Sequence, residues 1–333
     1  MIGAGVSGLT TAICLAETGI TVAIHAERPP SRTTSSVAGA IWGPHLVGID
    51  DRVARWGAVT LDRLLDLVAE PAAGVRVVSG RQASRAPAAP PRWVTGLPGF
   101  RLCADGELPL GFAAGWRYCA PVVEMPVYLG YLLARFRAAG GRLHDGQSFG
   151  SLDEAAAVTG TRVIVHCSGT GARNLVPDHD VMPVRGQVVE AINPGITEFF
   201  IGLAGESAEL TYIFPLGGTV RLGGTEDAGD WSLEPDPATA KRIVRDAAAI
   251  EPELRGARIL AHLVGLRPAR PAVRLEAEYL PDGRVLVHNY GHGGAGVSLS
   301  WGCALDAAAL VLAALAVPRG QRAAGTPRSR GAG

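Results

Sequence analysis

The run Gly3-Ala4-Gly5-Val6-Ser7-Gly8 constrains this chain more than any other segment. Glycines at this spacing let a strand turn at once into a helix whose first N–H groups face an anion. The residues that follow fit. Leu9, Ala12, Ile13, Leu15 and Ala16 recur with helical period, Gly19 closes the run, and Ile20-Thr21-Val22-Ala23-Ile24 has strand character. Glu27 then stands where a carboxylate can take ribose hydroxyls, with Arg28 beside it. The pattern predicts a bound dinucleotide and leaves NAD and FAD open. One part is short: only Met1 and Ile2 precede Gly3. The strand feeding the loop is therefore expected to be a stub, or to begin upstream of the given start. A stub would remove backbone pairing and apolar area beneath the cofactor and weaken its binding.

A chain of 333 residues, 47% hydrophobic, has room for two folding units and a real core. Its 31 basic and 31 acidic side chains leave no cationic excess to neutralise phosphates, which argues against a nucleic-acid partner. The five cysteines, Cys14, Cys103, Cys119, Cys167 and Cys303, form no C-x-x-C pair, so neither a disulfide framework nor a metal site is expected. No secretory signal pattern opens the chain, and the apolar stretch from Cys303 to Val317 falls short of the roughly 20 residues that span a bilayer. A cytoplasmic protein with no membrane partner is the expectation, and a homodimer is compatible with it.

Further along, Arg28 to Ser36 reads as a polar turn and Val37 to Pro44 as a small, tightly packed segment that can approach something flat. Helices are predicted over about 51–67, 127–139, 237–249 and 303–316. Val163 to Cys167 reads as a buried strand entering the turn Ser168-Gly169, and strands dominate 188–224. The tail 319–333 lacks a core pattern and is expected to be disordered.

Several segments, in order along the chain, resemble the D-amino-acid oxidase family, the flavoprotein group that includes D-aspartate oxidase. They are the opening glycine run, Thr33-Thr34-Ser35-Ser36-Val37-Ala38-Gly39-Ala40-Ile41-Trp42, Arg185-Gly186-Gln187, Tyr212-Ile213-Phe214-Pro215, Leu222-Gly223-Gly224-Thr225, Gly265-Leu266-Arg267-Pro268, and His288-Asn289-Tyr290-Gly291-His292-Gly293-Gly294 with its continuation to Leu305. The resemblance implies an α/β protein: a Rossmann-like FAD-binding domain (1–62, 140–185, 270–318) and an α+β substrate domain (63–139, 186–269) on a twisted, mainly antiparallel sheet. It also implies FAD-dependent oxidation of a D-amino acid by hydride transfer from the α-carbon to flavin N5, giving the 2-oxo acid, ammonia and, with molecular oxygen, hydrogen peroxide.

By the same resemblance, Arg267 clamps the substrate carboxylate and Tyr212 adds a hydroxyl to it. A planar guanidinium suits that role because it forms two parallel bonds to a carboxylate. Thr33, Thr34, Ser35, Ala38, Gly39, Ser168, Gly169, Gly293, Gly294, Gly296, Val297 and Ser298 join the opening glycines, Val6, Ser7, Glu27 and Arg28 as cofactor-binding candidates. The 291–296 run is expected to offer backbone donors to the flavin and Ser298 to touch its ring system. His292, between glycines, reads as orienting backbone, and no general acid or base is assigned.

The chain departs from the family's pattern at Ala208, Gly43 and Ala295, which predicts a roomier pocket. No arginine aligns with a clamp for an acidic side chain, although Arg221 stays open for that role, so neutral D-amino acids are expected. Glycine, N-methylated or other amines, and a flavin-binding protein without activity, are the alternatives.

Overall fold

The computed structural model describes residues 1–104, 106–203 and 210–316. The expectations for Ala208 and for the tail 319–333 lie outside the described residues.

The opening segment forms a strand–turn–helix whose helix spans Val6–Ala16. Its Leu9, Ala12 and Ile13 are fully buried, and Gly19, at φ +86°, carries the chain out of it. The strand Ala23–Ala26 pairs in parallel with Arg142–Asp145, and Val163–His166 pairs in parallel with Val285–Tyr290, which is flanked by antiparallel Arg274–Tyr279. Ile2 joins the two groups by bridging His25 on one side and His166 on the other. The backbone at this middle position is paired on both sides: Ile2 N–H donates to Val165 O, Gly3 N–H to His25 O, and Cys167 N–H to Ile2 O, at 2.8–2.9 Å.

A second sheet of nine strands uses segments between Val75 and Ala269. Its ladders are antiparallel except for the pairing of Val75–Ser84 with Phe199–Leu203. Met182–Ile192 lies between Thr219–Gly223 and Ile259–Ala269, so that Arg267, at the far end of the last of these strands, faces Val184 in register. The helix Pro237–Ile250 covers one face, capped by Asp236, which accepts from Thr239 N–H at 2.8 Å. The helix Met125–Ala138 packs on the first helix through Leu129, Leu132 and Phe136, joining the two layers.

The last helix spans Gly296–Ala316, seven residues earlier at its start than the pattern predicts. By length and composition it could cross a membrane, which corrects the reading of a 15-residue apolar stretch. It packs against the helices Val6–Ala16 and Asp51–Asp66 and the strand Val285–Tyr290, with both Ser300 and Cys303 fully buried. The contact is close because Gly302 has no side chain: a Cβ there would lie 2.3 Å from Trp56 Cα.

Candidate active site

The two sheets enclose a cavity of ≈1080 Å³. One wall comes from the parallel unit: Gly3 to Ser7, Ala26 to Arg28, Cys167 to Gly171, and the segment from Asn289 to Ser298 apart from Gly291 and Ala295. The other comes from the nine-stranded sheet and includes Gln82, Tyr118, Gly186, Tyr212, Phe214 and Arg267. Every cofactor- and substrate-binding candidate named from sequence lines this one cavity except Gly8, and Arg221, left open as a side-chain clamp, does not line it either.

The three glycines of the opening turn divide their work. Gly3 sits at φ +102° and a Cβ there would lie 2.4 Å from Cys167 O; at Gly8 it would lie 2.1 Å from Gly3 O. Both are required by the chain's own packing, which corrects the reading of Gly8 as a cofactor contact. Gly5 alone has room, with only Ser35 Oγ nearby at 3.1 Å. The first helix carries no acidic residue in its first turn and no side-chain cap on its own N-cap, and Val6 N–H donates to Ser35 Oγ at 3.0 Å. That N-terminus, open at Gly5, is a seat for a pyrophosphate. Glu27 follows the strand Ala23–Ala26 on the same cavity wall, in a loose, exposed pair with Arg28 at 3.6 Å.

Other candidates have prior engagements. Thr33 Oγ1 donates to Pro30 O at 2.8 Å. Thr34, Ala38 and Gly39 line the wall, and the missing side chain of Gly39 admits the stacked rings of Tyr212 and Phe214, whose centroids lie 4.5 Å apart. Gly293 N–H donates to Pro268 O at 2.9 Å, so it is not one of the donors expected of the glycine run. Gly293 and Gly294 also stay small for the chain opposite, since their Cβ atoms would strike Leu46 O and the His45 ring. The run instead opens the last helix, whose N-terminus at Gly296 and Val297 faces the cavity and brings a partial positive charge with it.

Ser298 Oγ is clasped by Gly43, donating to its carbonyl at 2.9 Å and accepting from its N–H at 3.0 Å, so the expected ring contact gives way to a bond between segments. The predicted roominess is corrected at two positions. The space beside Gly43 is taken by the Trp93 ring, 3.0 Å from where a Cβ would be, and Ala295 is buried in a core cluster with Trp56 and Leu299. Burial pushes His292 down to about 4, so the imidazole is neutral and bonds Asn289 Oδ1 at 3.0 Å, as expected of an orienting residue.

Ser168 ends a chain of hydrogen bonds that runs through two buried histidines to the exposed Glu278. His166 Nε2 meets Ser168 Oγ at 2.6 Å, His166 Nδ1 meets His288 Nδ1 at 3.3 Å, and His288 Nε2 meets Glu278 Oε2 at 3.1 Å. A carboxylate only accepts, so protons sit on His288 Nε2 and His166 Nδ1, and Ser168 donates inward. Burial foremost, then His288 and Arg274, brings His166 to about 3.

Arg267 Nη1 donates to Thr225 O at 2.9 Å, and its guanidinium lies across Gly186. Tyr212 lies over Gly223 and Gly224, where Cβ atoms would meet its ring. Burial pushes its hydroxyl up against the pull of Arg267 and Arg221, so it remains a protonated donor facing the guanidinium. Sequence reasoning missed Gln82, which accepts from Tyr118 O–H at 3.0 Å, and the pair His45 and Glu226, 2.6 Å apart on the cavity wall. Arg221 is buried, bonded to Glu190 Oε2 at 2.5 Å and Val37 O at 2.7 Å, and is absent from the wall.

The family model described as FAD dependent oxidoreductase matches residues 1–310. A D-amino-acid oxidase of Rubrobacter xylanophilus is 51% identical over 316 residues, covering 95% of this chain and 96% of its own. The D-aspartate oxidase of Homo sapiens is 37% identical over 332 residues, covering 93% of each. Among solved structures, glycine oxidase from Geobacillus kaustophilus matches with a TM-score of 0.77 at 19% identity, over 94% of this chain and 93% of that one, a likeness of fold.

Proposed function

The chain belongs to the FAD dependent oxidoreductase family, and from that premise we propose that it deaminates neutral D-amino acids oxidatively, yielding 2-oxo acids, ammonia and hydrogen peroxide. The observation that carries this reading is Arg267, held by Thr225 O with the Tyr212 hydroxyl facing it, on the wall of a cavity that also receives two helix N-termini.

The residues fit FAD. The open turn at Gly5, the uncapped N–H groups of the first helix and the nearby Ser35 hydroxyl suit its pyrophosphate, Glu27 its ribose, and the N-terminus of the last helix an electron-rich ring edge. FAD supplies acceptance of two electrons from the substrate and their delivery to oxygen.

The chain supplies position. Arg267 binds the substrate carboxylate and Tyr212 donates to it, which fixes the α-carbon and leaves one orientation for its hydrogen. The apolar faces of Trp42, Trp93, Phe214 and Ile201 exclude water from that wall. His292 stays neutral beside the glycine run and holds it through Asn289, whose Nδ2 donates to Thr11 Oγ1 at 3.1 Å. No side chain is needed to remove the α-proton, because a substrate that arrives with its amine neutral can lose hydride directly.

The test is the visible spectrum of the holoprotein without oxygen. D-Alanine bleaches the flavin band and L-alanine leaves it; bleaching by both or by neither overturns the reading. We also place the protein in the cytoplasm, a reading supported by five unpaired cysteines and checked by fractionating the source cells.

A further inference from the structure

The wall that carries Arg267 also carries a carboxylate. Thr225, whose carbonyl accepts from Arg267 Nη1, is followed directly by Glu226, so the contact that fixes the guanidinium also fixes the next residue. Thr225 is itself held: its Oγ1 accepts from Gln187 N–H at 3.1 Å and donates to Arg185 O at 3.3 Å. Glu226 Oε1 lies 2.6 Å from His45 Nε2, and both side chains are only partly exposed. Burial tends to raise the Glu226 carboxyl, but His45 and Arg267 outweigh it and hold the group low, hence ionised at neutral pH.

The guanidinium groups around it are accounted for, and its nearest basic neighbour is the His45 ring with which it pairs. Arg221 is engaged with Glu190 and Val37 and does not itself line the cavity, and Arg185 donates to Ser232 O and Glu234 O. Arg28 and Arg32 follow the strand Ala23–Ala26 on the nucleotide side. Of the described residues lining the second sheet's wall, Arg267 is the one arginine, and the α-carboxylate of an amino acid takes it. An anionic side chain then has no guanidinium to meet and faces the Glu226 carboxylate, which repels it. A neutral amide of the same size suffers no such repulsion.

Resting on the function proposed above, we propose that Glu226, positioned by His45 and Thr225, is a specificity-determining residue that rejects D-amino acids with anionic side chains. The question is a live one for this chain, since its relatives include both a D-amino-acid oxidase and a D-aspartate oxidase.

The experiment compares kcat/KM for D-glutamine and D-glutamate, equal in size and different in charge, in the wild-type holoenzyme and in Glu226→Gln and Glu226→Asp. The wild type favours D-glutamine by about 100-fold or more, Glu226→Gln lowers that ratio by about tenfold or more, and Glu226→Asp, which keeps the charge, retains most of it. A ratio unchanged in Glu226→Gln overturns the inference. So does a wild type that turns over D-glutamate as well as D-glutamine, a result that needs no variant to fold. In both cases anaerobic bleaching by D-alanine persists and the proposed function stands; absence of that bleaching in the wild type removes both.

Discussion

The Arg267 guanidinium occupies the space above Gly186, where a Cβ would lie 2.5 Å from Nη1 and 2.6 Å from Cζ. The two residues are neighbours across paired strands, with Gly186 opposite Gly265 in the ladder. Gly186→Ala would press on the far end of a flexible side chain, so the fold survives and the clamp moves. We expect a thermal midpoint near that of the wild type and a kcat/KM for D-alanine lower by about 10- to 100-fold. A variant with unaltered kinetics would show that Arg267 does not hold the substrate.

Arg267→Ala and Tyr212→Phe separate the charge from the hydroxyl. Losing a charge-assisted pair costs about 2–3 kcal/mol, or roughly 30- to 150-fold in kcat/KM. Losing a neutral hydroxyl donor costs about 0.5–1.5 kcal/mol, or roughly 2- to 12-fold. Steady-state kinetics with D-alanine should rank the variants in that order, and the reverse ranking would contradict the clamp.

Two alanine substitutions in the opening turn should behave oppositely. Gly8→Ala sets a methyl against the backbone oxygen of Gly3 and should cost about 1–3 kcal/mol of stability with loss of FAD. Gly5→Ala meets only Ser35 Oγ and keeps an ordinary φ of −73°, so the protein folds while its methyl stands in the anion seat. Thermal melts with and without FAD decide this: Gly5→Ala melts like wild type alone but gains little from FAD, whereas at 100 times its Kd FAD adds about 2.7 kcal/mol to the wild type.

Acid should weaken the fold through its buried histidines. His166 and His292 titrate in the folded chain at about 3 and about 4, below the ordinary 6.5. Between pH 6.5 and those values the unfolded chain binds protons that the folded chain refuses, so stability is full above pH 6.5 and falls as pH falls. At pH 5 each costs about 2 kcal/mol. Melting curves at saturating FAD should show this slope, and His292→Gln should flatten it; an equal slope in that variant would mean that His292 is not buried neutral.

How far the chain could be read without coordinates depended on whether the signal was local. The strand–turn–helix around Gly3 to Glu27 is contiguous, and its pattern was sufficient. The last helix was read too short because Ser298, Ser300 and Gly302 are weak helix formers, tolerated where Gly302 must pack on Trp56. Ala295 and Gly43 were taken for missing bulk in the pocket, but one faces the core and the other makes room for Trp93, facts of three-dimensional packing with no sequence mark. Glu226 and His45 lie far apart in the chain and meet only because Thr225 anchors one and the glycine run accommodates the other.

The doubly bridged Ile2 also bears on how the protein assembles. The sheet's centre is contributed by residue 2, its flanks by residues 25 and 166, and the next strand by 285–290. Contacts this distant in sequence carry a large closure entropy and form slowly. The cofactor seat therefore matures only when nearly the whole polypeptide has been made and gathered, and the onset of yellow colour during refolding is a clock for the last step of folding rather than the first.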